Sequence, residues 1–257
     1  MEIVNYINPN AKLGKGVEVG NFSVIEDDVE IGDGTVISHN VVIQSGARIG
    51  KNCRIFSGAV IAAIPQDLKY NGEYSTVEIG DNTTIRECVT INRGTADRDK
   101  TQVGNNCLLM AYVHLAHDVV VGNNCIIANS SNIAGHVVIG DSVVIEGVVG
   151  IQQFVRIGNS AFISGGSKVR KNVPPYVKAA REPLAYAGVN SVGMMRSGFK
   201  KDEILLIEDI YRIIYVRNAN ISIGLKEVRE KLGDNPMTEE ILKFIETSEN
   251  GVIKGLI

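Results

Sequence analysis

The chain has 257 residues, of which 44% are hydrophobic, 21% charged and 5% aromatic, and its net charge at pH 7 is −3. This composition is typical of a globular protein and excludes a disordered chain, while the weak negative charge gives no basis for a general nucleic-acid role. The N-terminal residues MEIVNYINPN do not form a signal peptide, no apolar run reaches the ~18–20 residues of a membrane helix, and the four cysteines form no CxxC pair, so we expect a cytoplasmic protein with reduced thiols and no stable membrane insertion.

An aliphatic residue recurs at every sixth position between Ile7 and Val169, and only Asp67, Glu73 and Asp97 interrupt the series. A second column of small or β-branched residues lies four positions after each aliphatic residue and includes three of the four cysteines. A helix period of 3.6 and a strand period of 2 both fail to describe this pattern. Hexapeptide repetition is typical of a parallel β-helix, so the sequence predicts a mainly β fold with three hexads to a coil and both columns inside.

Two segments lose the aliphatic register and are predicted to be loops. They are residues 62–78 (AAIPQDLKYNGEYSTVE) and 92–102 (NRGTADRDKTQ), and both contain glycine and charged residues. Loops that project from a rigid scaffold often carry functional residues.

The hexads stop at Pro174-Pro175, and the period becomes helical from about residue 200. One amphipathic helix is predicted around residues 204–215 and a second over 222–232, followed by a turn at GDNPM (233–237). A third helix is predicted to begin near Thr238 as its N-cap. We therefore expect a β-helix domain over residues 1–190 and a small C-terminal α-helical domain over 191–257, which covers the open end of the prism.

The phase of six places His114, His117, Asp118 and His136 on the outside of the prism. Residues 18 apart lie on successive coils about 4.7–4.9 Å apart. Two stacked columns follow from this spacing: His117, Gly135 and Gln153 in one, and Asp118, His136 and Phe154 in the next.

The first column suits acid–base chemistry, because a histidine base would lie beside the exposed amide of Gly135. A further column of Ala111, Asn129, Gly147 and Gly165 has almost no side chain at its upper end. This strip could accept an extended hydrocarbon chain, or it reflects the ordinary use of glycine at turns.

Two other functions fit the outward histidines less well. Gamma-class carbonic anhydrases bind zinc on this kind of helix, but their ligand spacing is not H-x-x-H and no third suitably placed ligand is evident, so we expect no metal. A purely structural scaffold does not require His117, Asp118 and His136 on one face.

Seven motifs carry a resemblance over essentially the whole chain: IPQDLKY (64–70), IRECVTINRGT (85–95), HLAHD (114–118), AGHV (134–137), QQF (152–154), VPPY (173–176) and GVN (188–190). They resemble the bacterial acyl-[acyl-carrier-protein]–UDP-N-acetylglucosamine O-acyltransferases, which begin lipid A synthesis. The resemblance implies a left-handed β-helix and a homotrimer with active sites between subunits. The implied reaction transfers a (R)-3-hydroxyacyl chain from the phosphopantetheine of acyl carrier protein to the 3-hydroxyl of UDP-N-acetylglucosamine, without a further cofactor.

By motif position, the resemblance implies His117 as the general base, Asp118 as its carboxylate partner and Gly135 as the oxyanion donor. The implied substrate-binding residues are Asp67, Lys69, His114, His136, Gln153, Asn190 and Arg196. Gly165, beside Gly147, would line the acyl-chain groove and help to set acyl length.

The chain departs from the family pattern at Gln152, where a histidine is frequent, and at Val192 and Ser197, where nucleotide contacts are expected. N-acylation of the 3-amino analogue of the UDP-sugar remains an open alternative. A CoA-dependent hexapeptide acetyltransferase fits less well, because of the helical tail and the IPQDLKY segment. A basic stretch would steer an acidic carrier protein, unless it is a generic solvated surface: Lys168, Arg170, Lys171, Lys178, Arg181, Arg196, Lys200 and Lys201.

Overall fold

The hexads fold into short β-strands joined by tight corners, and three hexads complete one coil. The computed structural model describes residues 4–218, 220–232 and 235–255. Each strand pairs in parallel with the strand one coil further along, as Val24 does with Val42 and His114 with Asn132. The three resulting sheets are the walls of a left-handed parallel β-helix, which confirms the predicted fold.

The strands are distributed over the three walls in regular rotation. Sheet A contains Tyr6–Ile7, Val24–Ile25, Val42–Ile43, Val60–Ala63, Thr90–Asn92, His114–Leu115, Asn132–Ile133, Gly150–Ile151 and Lys168–Val169. Sheet B contains Lys12–Leu13, Glu30–Ile31, Ala47–Ile49, Thr76–Ile79, Lys100–Val103, Val120–Val121, Val138–Ile139 and Arg156–Ile157. Sheet C contains Glu18–Val19, Val36–Ile37, Arg54–Ile55, Thr84–Ile85, Leu108–Leu109, Ile126–Ile127, Val144–Ile145, Phe162–Ile163, Val177–Ala180 and the antiparallel Ala185–Val189.

The two predicted columns form the interior of the prism. From Ile25 onward their members are buried, and the second column includes the buried thiols Cys53, Cys107 and Cys125. The first coil differs, since Ile7 and Leu13 remain 38% and 37% exposed. No described element covers this end of the prism, so its inward side chains contact solvent.

Both interruptions are loops, but the predicted bounds 62–78 and 92–102 are too wide. The strands leave residues 64–75 as loop 1 and residues 93–99 as loop 2. The residues at the edges of the predicted segments extend the strands instead, because Thr76 pairs with Lys100 at the exits of the two loops. Both loops leave the prism at the corner between sheets A and B, on the two coils that precede His117.

Four helices follow the prism: α1 (Ser191–Arg196), α2 (Lys201–Arg212) with a π-helical continuation (Ile213–Arg217), α3 (Ile221–Leu232) and α4 (Pro236–Glu246). Tyr211 of α2 is fully buried, and its hydroxyl donates to the Pro175 carbonyl at the last coil. The helices therefore cover the C-terminal end of the prism, as predicted.

The predicted start of the last helix at Thr238 is wrong. Helix α4 begins at Pro236, and the Asn235 side chain caps it by accepting the Met237 N–H. Proline suits the first helical position because it has no N–H to leave unpaired. Of the predicted turn 233–237, residues 233 and 234 lie outside the described residues.

The division of the chain between residues 190 and 191 stays a prediction. Sheet C continues past the hexads through Val177–Ala180, and Ala185–Val189 pairs with that strand immediately before α1. Among the described residues, no helix is both long and apolar enough to cross a membrane.

The inward and outward positions of one strand give a matched test of the fold. Ile127 is fully buried, whereas its neighbour Ile126 is 37% exposed. Ile127→Ala should lower the free energy of unfolding by about 2–5 kcal/mol, because it leaves a cavity in the interior column. Ile126→Ala removes the same atoms and should cost much less; equal losses in urea unfolding at one protein concentration would contradict the assignment.

Candidate active site

A histidine and an aspartate that are adjacent in sequence form the centre of the site. His117 and Asp118 occupy the corner between sheets A and B, and His117 Nδ1 lies 2.8 Å from Asp118 Oδ2. Both point away from the prism interior, yet His117 is only 5% exposed and Asp118 is fully buried. Loops 1 and 2 cover this corner, so an outward direction here does not mean exposure to bulk solvent.

Loop 2 holds the Asp118 carboxylate. The Thr95 backbone N–H donates to Oδ1 at 3.0 Å, and the Thr95 hydroxyl donates to Oδ2 at 2.6 Å. Burial raises the pKa of Asp118, but the hydrogen bonds from Thr95 and His117 outweigh burial and hold this pKa below its usual range. Asp118 is therefore an ionised carboxylate at neutral pH.

The ionised partner fixes the proton on the His117 ring. A carboxylate can only accept hydrogen bonds, so Nδ1 of His117 carries the hydrogen that Asp118 accepts. In the neutral ring, Nε2 is then left with a free lone pair. The Asp67 carboxylate in loop 1 lies near Nε2, with its Oδ2 3.8 Å away.

Gly135 lies directly against the His117 ring, as the 18-residue spacing predicts. A Cβ at position 135 would lie 2.5 Å from His117 Cε1 and 2.6 Å from Nε2. Any larger residue would displace the imidazole. No described residue accepts the Gly135 backbone N–H, which leaves this donor available beside Nε2.

The site opens into a cleft of about 840 Å³ along sheet A. Its wall brings together five of the predicted site residues besides His117: Asp67, Lys69, His114, Gly135 and Gln153. His114 Nδ1 lies 2.7 Å from the Thr90 hydroxyl, and burial lowers the pKa of His114.

His136 does not line this cleft but packs behind the His117–Asp118 pair. Its ring is stacked on Phe154 at 4.6 Å and meets the His117 ring edge-on at 4.9 Å. Its Nδ1 lies 3.1 Å from the carboxylate of Asp97 in loop 2 and 3.8 Å from that of Asp118. His136 therefore contacts His117 and two carboxylates, while its direct contact with substrate stays a prediction.

Asn190 and Arg196 lie away from the His117 cleft, in a second cavity of about 560 Å³ on the sheet C face. The Asn190 side chain caps α1 by accepting the Gly193 N–H and donates to the Ser160 carbonyl. Its amide thus already has structural partners. Within one chain, the structure does not bring this pair together with His117.

Gly147 and Gly165 stack at the corner between sheets C and A, because the Gly166 N–H donates to the Gly147 carbonyl. Neither glycine lines the cleft, whose wall on their two coils begins at Gly150 and Lys168. The Glu146 carboxylate accepts the Gly165 N–H at 2.8 Å, so the strip carries one polar side chain that the column arithmetic did not predict.

Three residues offer donor atoms for a metal ion. One ligand atom each from His117, Asp118 and His136 lies within 4.8 Å of the others. Asp118 Oδ2 already accepts hydrogen bonds from both Thr95 and His117, which a metal would have to displace. The donor set is therefore a poor fit for a metal ion, and the expectation of none stays a prediction.

The sequence reasoning missed the supporting residues in loop 2 and its flanks. Thr95 contacts Asp118, Asp97 contacts His136, and Thr101 accepts the Asp118 backbone N–H. The spacing rule could not place them, because the loops break it: Thr90 pairs with His114, 24 positions away, rather than with residue 108. The motif IRECVTINRGT (85–95), which ends at Thr95, was the available signal.

Two family profiles match the chain. The profile described as bacterial transferase hexapeptide (six repeats) matches residues 28–63 and 100–135. The profile described as domain 2 of UDP-N-acetylglucosamine O-acyltransferase matches residues 172–253.

Relatives match over most of their length. The acyl-[acyl-carrier-protein]–UDP-N-acetylglucosamine O-acyltransferase of Sulfurihydrogenibium sp. (strain YO3AOP1) is 58% identical over 247 residues, which are 96% of this chain and 91% of that protein. The protein of the same name from Chlorobaculum tepidum is 57% identical over 239 residues, 93% of this chain and 90% of the relative. The crystal structure of a UDP-N-acetylglucosamine acyltransferase from Bacteroides fragilis 9343 is 48% identical, with a TM-score of 0.96 over 99% of this chain and 100% of that chain.

A hexapeptide β-helix with a histidine–carboxylate pair in a cleft on its wall defines a transferase of the hexapeptide class. The identity over nearly the whole chain narrows this class. The chain belongs to the acyl-[acyl-carrier-protein]–UDP-N-acetylglucosamine O-acyltransferase family.

The hydrogen bond from Thr95 predicts a specific dependence of stability on pH. Thr95→Val should cost about 1.5–3 kcal/mol of unfolding free energy near neutral pH, because it removes a buried bond to a charged group. The folded-state pKa of Asp118 lies below the unfolded value of about 3.9, so this stabilisation is present above that value and is lost as the pH falls through the folded-state pKa.

The stability difference between the wild type and Thr95→Val should therefore shrink in acid, as followed by urea unfolding from neutral pH downwards. Thr101→Val is the matched control, because the Thr101 hydroxyl accepts the Asp118 backbone N–H and does not bond to the charged carboxylate. Its cost should stay nearly constant over the same range. A pH-independent cost at Thr95 would contradict the assignment.

Proposed function

We propose that this chain transfers a (R)-3-hydroxyacyl group from acyl carrier protein to the 3-hydroxyl of UDP-N-acetylglucosamine, the reaction that begins lipid A synthesis, with His117 as the general base. The observation that carries the mechanism is the buried His117–Asp118 pair, whose free Nε2 lies beside the Gly135 amide in an open cleft.

In the proposed reaction, His117 Nε2 accepts the proton of the sugar hydroxyl while that oxygen attacks the thioester carbonyl carbon. Such a base contributes typically about 10²–10⁴-fold to the rate. The carbonyl oxygen gains negative charge, which the Gly135 N–H can stabilise. When the carbon–sulfur bond breaks, the proton on His117 passes to the departing thiolate, so the ester and the free phosphopantetheine thiol are formed. Asp118 stabilises the protonated imidazole between these steps.

The substrate-binding roles of the remaining residues are part of the same proposal. Asp67, Lys69, His114 and Gln153 are placed on the cleft wall, where they would bind and orient the sugar. His136 would act mainly through the His117 ring that it contacts.

The site is proposed to be completed by a second copy of the chain in a homotrimer. Asn190 and Arg196 line a cavity on sheet C, whereas His117 faces the cleft on sheet A. One acceptor could occupy both sites only if sheet C of one subunit faced sheet A of the next. This arrangement would bring the nucleotide to Arg196 and the sugar to His117. The cytoplasmic location and the use of no cofactor beyond the donor's phosphopantetheine remain predictions.

The first test removes the proposed base. His117→Ala should lower kcat by about 10²–10⁴-fold, measured as product formed from acyl carrier protein donors and identified by mass. His39→Ala is the matched control, because His39 is an outward histidine on an early coil whose Nδ1 accepts the Asn21 N–H. Near-normal kcat in a folded His117→Ala protein would overturn the base assignment. Parallel reactions with UDP-N-acetylglucosamine and its 3-amino analogue separate ester from amide formation.

The second test addresses the acyl groove. A Cβ at Gly165 would lie 3.3 Å from the Gly147 carbonyl oxygen and 3.6 Å from Glu146 Cβ, so a side chain needs only a small shift to fit. Gly165→Met would then occupy the strip, and kcat/KM should fall at least about tenfold more for long-chain donors than for short-chain ones. Activity with a short-chain donor shows that the variant is folded. An unchanged order of donor preference would contradict the assignment of Gly165 to the acyl-chain groove.

A further inference from the structure

Two cations at the upper end of the cleft are not used by the reaction described above. Lys168 and Arg170 both line the cleft that contains His117. Lys168 continues the outward column of His114, Asn132 and Gly150 on sheet A.

Both cations are exposed and available for a ligand. Among the described residues, no ion pair or side-chain hydrogen bond joins either of them to a partner. The cleft wall carries a third cation, Lys69, against the single carboxylate of Asp67. A cleft with a surplus of positive charge attracts anionic groups.

The geometry gives the distance from these cations to the reacting atoms. Lys168 lies three coils above His114, and Arg170 lies three coils above Ala116, the residue that precedes His117. The rise from the His117 coil to the two cations is therefore roughly 14 Å at 4.7–4.9 Å per coil. Gly150 lies on the coil directly below Lys168 and has no side chain, so the wall beneath the cations is smooth. A linear group could extend along it from His117.

We propose that Lys168 and Arg170 form a phosphate-binding site, which holds the phosphodiester of the donor's phosphopantetheine arm. This inference rests on the proposed function. Between the thioester sulfur and the phosphorus the arm has about the length of four extended residues, or roughly 13–14 Å. With the thioester at His117, the extended arm therefore places its phosphate at these cations. Arg170 can bind phosphate oxygens through two N–H groups, and Lys168 adds a point charge.

The acceptor also carries phosphate, as a nucleoside diphosphate. The second cavity, with Arg196 on sheet C, offers a separate place for the nucleotide. The donor is therefore the source that the arrangement favours, and kinetics can distinguish the two.

The test compares two small donors with the same acyl chain, acyl-phosphopantetheine and acyl-pantetheine, which differ only in the phosphate. The wild type should show a higher kcat/KM with the phosphorylated donor, and this preference should weaken as salt screens the charges. In the double variant Lys168→Gln/Arg170→Gln, the ratio of kcat/KM for the two donors should fall at least about tenfold, towards one. Lys51→Gln, on another corner of the prism, removes one exposed charge and should leave the ratio unchanged.

Each outcome has one meaning. A double variant that keeps the wild-type preference overturns the site. If the double variant has a raised KM for UDP-N-acetylglucosamine and an unchanged ratio of kcat/KM for the two donors, the donor assignment is overturned. The two cations would then bind the diphosphate of the acceptor. If the wild type transfers no acyl group from either small donor or from acyl carrier protein, the proposed function itself fails. Urea unfolding of the double variant checks that it is folded.

Discussion

The stacked aliphatic interior is the constraint on which the rest of the structure depends. Each coil must return its inward side chains to the same three walls, because burial of each isoleucine stabilises the fold by roughly 1.5–3 kcal/mol. This requirement fixes 18 residues to a coil wherever no loop intervenes, as in the pairing of His114 with Asn132. The position of every outward side chain follows from it. His117, the proposed base, therefore has its place because Leu115 and Val119, two positions to either side of it, are buried.

The fold could be predicted almost completely from the sequence, because its repeat is local and never changes phase. The same arithmetic placed Gly135 against His117 and Phe154 above His136, and both contacts are present. It could not place Thr95 or Asp97, since loop 2 follows no repeat and its path depends on the groups that it contacts. The repeat also could not predict that His117 is buried. The phase of the repeat gives the direction of a side chain, whereas the loops determine whether that side chain is covered.

The hydrogen bonds at the corner between sheets A and B keep Asp118 ionised and leave one nitrogen of His117 free. Asp118 keeps its charge although it is buried, because Thr95 and His117 supply three hydrogen bonds to its two oxygens, and these outweigh the effect of burial. The ring of His117 is held on one side by this carboxylate and on the other by the backbone of Gly135. Its free nitrogen is left at the cleft wall beside Gly135, which has no side chain. The repeat makes the backbone of the site rigid, and the polar groups orient the His117 ring on it.

Loops 1 and 2 leave successive coils at the same corner, and the strands on either side of them remain paired from coil to coil, with one register shift between Ile61 and Ala63. The packing of the prism interior therefore does not depend on the length or sequence of the loops, since the inward columns continue on the coils that carry them. A family built on this scaffold can exchange either loop without repacking its core. Divergence in substrate should then be concentrated in a few residues above one corner, while the walls of the prism change slowly.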